Sequence, residues 1–130
     1  MELKPGIIGK DEVMVEAHNT AKSMGSGLLP VFATPAMAAL MEKTASESVL
    51  SYLGEGCGTV GTALDIKHLA ATPEGMKVCC ESELVQVDGR KLVFSVRAYD
   101  DAELIGEGTH ERFIIKNESF LAKAQAKGKK

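Results

Sequence analysis

Polar and apolar residues alternate along most of this chain, and one long stretch keeps a different spacing. In "DEVMVEA" (11–17) charged and apolar residues trade places one by one, which predicts a first strand. "HNTAKSMGSGLLPV" (18–31) loses the pattern and is rich in Gly, Ser and Asn, the composition of a mobile loop. The spacing then becomes helical, with Met37, Leu40, Met41, Thr44, Ala45, Ser48, Val49 and Tyr52 on one face. Thr34 is placed to cap this helix, its hydroxyl accepting from an orphan N–H, with Pro35 in the first helical position. Gly54 and Gly56 end it.

Alternation resumes afterwards. "TVGTALDIKHL" (59–69) is predicted to set Val60, Thr62, Leu64, Ile66 and His68 on one face. "MKVCCESELVQV" (76–87) groups Val78, Cys80 and Leu84 against Lys77, Glu81 and Glu83. Asp88-Gly89 is a hairpin signal into "KLVFSVRAY", and Asp100-Asp101-Ala102 is a second turn into "ELIGEGTHERFII". One strand, one long helix and four hairpin-joined strands make an α+β layout, an antiparallel sheet curled round a central helix. Neither an internal repeat nor a linker divides residues 1–130, so a single domain is expected, with 117–130 as a flexible lysine-rich tail.

The helix raises a chemical question. Between residues 35 and 53 only Glu42, Lys43 and Glu47 carry charge, and Ala36, Ala38 and Ala39 populate the other sides, so most of its circumference is expected to be covered. A carboxylate buried there without a partner costs several kcal/mol. Alone, Glu42 reads as a solvated helix residue, and His68 as a core histidine satisfied by one hydrogen bond. Together they read differently, because a sheet wrapped on this helix can bring an inward histidine near a helix carboxylate. A carboxylate beside an imidazole is a general acid–base pair. Thr34 adds a hydroxyl at the helix start, whose N–H groups suit developing negative charge.

Other chemistries are poorly supported. A net charge of −3 and a pI of 5.6 argue against nucleic acid as the main partner. No apolar run approaches the length of a membrane span, and the N-terminus has no secretory pattern, so a cytoplasmic protein is expected. Cys57, Cys79 and Cys80 make a poor disulfide framework and fit a reducing compartment. The free Cys57 reads as inert filler rather than a nucleophile. His18, His68 and His110 are scattered and lack metal-ligand spacing, so no metal is expected.

The segments "ATPAMAALMEKTA", "GTVGTALDIKHLAATPEGMKV", "VDGRKLVFSVRAYD" and "IGEGTHERFII" resemble, in order and without large gaps, the hotdog-fold thioesterases, and within them the family of the fluoroacetyl-CoA thioesterase. The resemblance covers roughly residues 30–115. It implies a hotdog fold and hydrolysis of a short- or medium-chain acyl-CoA to free acid and CoA. It also implies a catalytic set of Thr34, Glu42 and His68, a glycine at Gly61 whose N–H meets the thioester carbonyl, and an arginine at Arg112. A homodimer with sites near the interface is expected, and no cofactor beyond the CoA of the substrate. The family's aromatic lid before the helix has no counterpart in residues 18–30, where only Met24, Leu28 and Leu29 stand. The alternatives are a non-catalytic acyl-CoA binder or protective protein, and a hydratase or dehydratase on the same fold. The intact set of Thr34, Glu42 and His68 weighs against both.

Overall fold

The computed structural model describes residues 2–129. Five antiparallel strands, β1 (Ile8–Met14), β2 (Cys57–His68), β3 (Lys77–Asp88), β4 (Lys91–Tyr99) and β5 (Leu104–Lys116), form one sheet in the order β1-β3-β4-β5-β2. A 3-10 turn (Ala17–Asn19), a four-residue helix α1 (Ala21–Met24) and the long helix α2 (Thr34–Leu50) lie between β1 and β2, and α3 (Asn117–Ala126) follows β5. Helix α2 packs into the concave face of the sheet, which is the hotdog arrangement.

The pattern of residues explains this packing. Met37, Leu40, Met41, Thr44, Ala45 and Val49 of α2 are buried. They meet Val78, Cys80 and Leu84 of β3 and Leu92, Phe94, Val96 and Ala98 of β4, each on the inward beat of its strand. A buried aliphatic or aromatic side chain contributes about 1.5–3 kcal/mol relative to an exposed one. This face is therefore what holds the helix in the sheet. The two ends of the strand order, β1 and β2, have one neighbour each, and Gly61 to Asp65 of β2 are exposed.

Several expectations change. The first strand runs from Ile8 to Met14 rather than from residue 11 to 17. The segment 18–31 is pinned rather than loose: Ala21 N–H donates to Val31 O (2.8 Å) and Ala33 N–H to Asn19 O (3.0 Å). The side chain of Asn19 anchors it, donating to Met14 O and accepting from Glu16 N–H, contacts that the composition of the loop could not show. Thr34 is the first helical residue and Ala33 the cap, so the Thr34 hydroxyl does not cap the helix. The stretch expected as a flexible tail carries helix α3, with Phe120 and Leu121 exposed on it.

The most consequential difference lies in β2. Its register against β5 shifts between Gly61 and Ala63, so Thr62 is an extra residue and the facing of side chains reverses there. Leu64, Ile66 and His68 do share a face, paired with His110, Gly108 and Gly106. Upstream of the shift the inward positions are Thr59 and Gly61, and Val60 pairs with the half-exposed Phe113 instead. The bulge thus turns Gly61 toward the helix.

Candidate active site

Two clusters of polar side chains come from this frame. The first lies at the N-terminal end of α2. Thr34 Oγ1 stands 2.7 Å from His68 Nδ1, joining the first residue of the helix to the last of β2. Burial pulls the His68 imidazole below its ordinary value of 6.5, favouring the neutral ring. Its Nε2 is buried and has no hydrogen-bond partner among the described residues. A buried polar atom without a partner is costly, so an atom left that way at a cavity is suited to a ligand or a proton in transit. The cavity beside it, about 300 Å³, is lined by Phe32, Thr34, His68, Leu69 and parts of the 21–31 segment. Phe32 is an aromatic wall residue that lies just outside the stretch in which a lid was sought. Leu28 and Leu29 stand in solvent.

The second cluster is built on Glu42, two turns further along α2. Its carboxylate fills the space above Gly61: a Cβ at that glycine would lie 2.8 Å from Glu42 Oε2. Arg112 stands beside it, Nη1 3.8 Å from Oε2. The arginine is buried, with Nε donating to Thr59 Oγ1 (2.7 Å) and Nη2 to Thr59 O (2.9 Å). Its Nη1 also meets His110 Nε2 at 3.1 Å. His110, fully buried, reaches Ala63 O through Nδ1 at 2.8 Å. The Glu42 side chain keeps 44% of its surface exposed. A partly open carboxylate beside a fixed cation is accessible to substrate, as a nucleophile or base requires.

The clusters do not touch within one chain. Eight residues of helix separate Thr34 from Glu42, about 12 Å along the axis, and seven residues of strand separate Gly61 from His68, about 23 Å. A Glu42–His68 pair inside one protomer is therefore not what the fold provides. The structure groups Thr34 with His68, and Glu42 with Gly61 and Arg112. His110 was passed over in the sequence as one of three scattered histidines. Its signal was its place two residues from Arg112 on an alternating strand, which sets both side chains on the inward face.

Comparison with known proteins agrees with this frame. The profile of the fluoroacetyl-CoA-specific thioesterase family matches residues 15–118. The fluoroacetyl-CoA thioesterase of Streptantibioticus cattleyicolor is 45% identical over 97 residues, which span 75% of this chain and 70% of that protein. A solved structure of a fluoroacetyl-CoA thioesterase superposes with a TM-score of 0.92 at 36% identity, covering 98% of each chain. A mutant of that enzyme has been solved with fluoroacetate and CoA. A thioesterase superfamily member from Thermus thermophilus superposes with a TM-score of 0.86 at 27% identity, over 95% of this chain and 91% of its own.

Proposed function

This chain belongs to the fluoroacetyl-CoA-specific thioesterase family and is an acyl-CoA thioester hydrolase; from that premise we propose that it cleaves short-chain acyl-CoA esters with Thr34, Glu42 and His68 as its catalytic set. The observation that carries the reading is the seating of Glu42 over Gly61 with Arg112 behind it. Glu42 serves as nucleophile or as the base for water, and the thioester oxygen takes its negative charge beside the Gly61 N–H. His68 moves the proton to the leaving thiolate, and Thr34 fixes the ring through Nδ1. Water is consumed, and a carboxylic acid and CoA thiol are released. Arg112 stands behind the Glu42 carboxylate and positions it over Gly61.

A homodimer completes this site. The long edge of β2 is unpaired, and its exposed middle includes Ala63 and Leu64. Two copies joined antiparallel along that edge, centred between Leu64 and Asp65, set Gly61 against His68 of the partner subunit. Glu42 of one protomer then faces Thr34 and His68 of its partner. The three free cysteines and a CoA substrate favour a cytoplasmic setting. No helix of the described residues is long and apolar enough to cross a membrane.

Thiol release from acetyl-, fluoroacetyl- and butyryl-CoA tests the reading. The wild type is expected to hydrolyse all three, with no preference of several thousandfold for the fluorinated ester, because residues 18–30 hold no Phe, Tyr or Trp and their large apolar side chains, Met24, Leu28 and Leu29, are exposed rather than packed over the cavity. Glu42→Gln is expected to fold and to lose about 10²-fold or more in kcat. Unchanged turnover in a folded Glu42→Gln protein would remove Glu42 from the reaction.

A further inference from the structure

We propose that His110 is a positioning residue for the hydrolysis, holding the Arg112 guanidinium beside Glu42 but short of a closed ion pair. The proposal rests on Glu42 being the reacting carboxylate.

Hydrogen bonding fixes the state of the ring. Ala63 O can only accept, so His110 Nδ1 carries a proton. Arg112 Nη1 can only donate, so His110 Nε2 offers its lone pair. The two contacts together admit the neutral Nδ1–H tautomer alone. Around the ring stand Phe94 of β4, with centroids 6.3 Å apart, Leu64 of β2, and the charges of Arg112, Glu42 and Glu111. Burial pushes the imidazole below its ordinary value, the direction that keeps Nε2 bare.

Counting the arginine's donors gives the role. Nε–H and one Nη2 hydrogen go to Thr59, and one Nη1 hydrogen goes to His110. The cation is thereby tied to β2 and β5 on three sides, and its distance to Glu42 is 3.8 Å. An unrestrained arginine closes on a carboxylate to about 2.7–2.9 Å, often with two bonds. Such a clamp occupies the lone pairs that attack on a carbonyl or a water proton needs. One Nη1 hydrogen remains for Glu42, but the bonds to Thr59 and His110 fix the guanidinium where that hydrogen does not close on the carboxylate, and the other nitrogen of His110 is anchored at the bulge that presents Gly61. One imidazole thus sets arginine and strand in a common geometry.

Two substitutions separate the ring's two bonds. His110→Asn keeps a donor for Ala63 O and loses the acceptor for Arg112, whereas His110→Gln keeps an acceptor near Nη1. The Asn variant is expected to lose about tenfold in kcat at nearly constant KM, and the Gln variant to stay within about threefold of wild type. In a Glu42→Gln background the Asn change is expected to add less than about a twofold further loss. Equal kcat losses in Asn and Gln, or a full tenfold loss repeated in the Glu42→Gln background, overturn the proposal. The 15N spectrum of the wild-type protein tests the tautomer without reference to activity. A protonated Nδ1 with a bare Nε2 at neutral pH supports it, and a protonated Nε2 overturns it. Full turnover by Glu42→Gln alone overturns the underlying role of Glu42, a failure distinct from any of these.

Discussion

Glu42 was conspicuous in the sequence because a carboxylate interrupts an otherwise apolar helix, and the fold gives that interruption a partner in Arg112. His68 stood out for the same reason, as a polar group where the pattern asked for packing, whereas Thr34 was marked by its place at the helix start; the two meet at 2.7 Å. Arg112 and Gly61 carry no such mark. An arginine in a charged strand end and a glycine in a glycine-rich stretch are ordinary, and only a resemblance singled them out. His110 was lost because its significance is a contact with residues 47 positions away. The two inward histidines also make a prediction about stability. Burial holds both His68 and His110 below 6.5, so as the pH falls through that value the unfolded chain takes up protons before the folded one. Their contribution is full above 6.5 and is lost on the acid side. The melting temperature is therefore expected to fall as the pH drops from 6.5 toward about 5, and His110→Gln is expected to flatten the slope. A melting temperature that rises on acidification over this window would reverse the sign.

At the scale of elements, the alternating spacing located β3, β4 and β5 and the helical spacing located α2, because each has one face in the same core. What the spacing could not locate was the bulge in β2. One extra residue reverses which side chains face inward, and no propensity marks Thr62 as that residue. The shift explains why Val60 and Thr62 do not join Leu64, Ile66 and His68, and why a glycine lies under Glu42. Two glycine substitutions follow different courses from this geometry. In Gly61→Ala the new Cβ meets only side chains, Glu42 Oε2 at 2.8 Å and His110 Cε1 at 3.2 Å, so the carboxylate moves and the fold survives. The expected result is a loss of about 10²-fold in kcat with a melting temperature near wild type. In Gly108→Ala the Cβ runs into the backbone of Asp65 and Ile66, which cannot move without opening β2 from β5. That variant is expected to lose about 1–3 kcal/mol in denaturant unfolding. A stable Gly108→Ala protein would show that the two strands separate more easily than their register suggests.

For the whole molecule, the separation of the two clusters is the fact that any mechanism must meet. Thr34 and His68 lie near the start of α2 and the end of β2, while Glu42 and Gly61 lie near the middle of the helix and the bulge. The sequence could not reveal this, since a list of residues in a motif does not say which copy of the chain supplies each. The proposed two-fold axis through the open β2 edge would reconcile the parts, and mixing experiments test it directly. Glu42→Gln and His68→Ala each remove one half of the site. In a mixed dimer of the two variants, one site carries both defects and the other carries none, provided that Glu42 and His68 come from different protomers. Unfolding and refolding the two inactive proteins together at equal amounts gives mixed dimers in about half of the assemblies, and hence about a quarter of wild-type activity. If each site were built within one protomer, every site in the mixture would carry one defect and the mixture would stay as inactive as its parents. Recovery that grows with refolded mixed dimer therefore assigns Glu42 and His68 to opposite sides of the interface. Absence of recovery, with the mixed dimer present by native mass spectrometry, returns the reaction to a single chain, where Glu42 would have to act without His68.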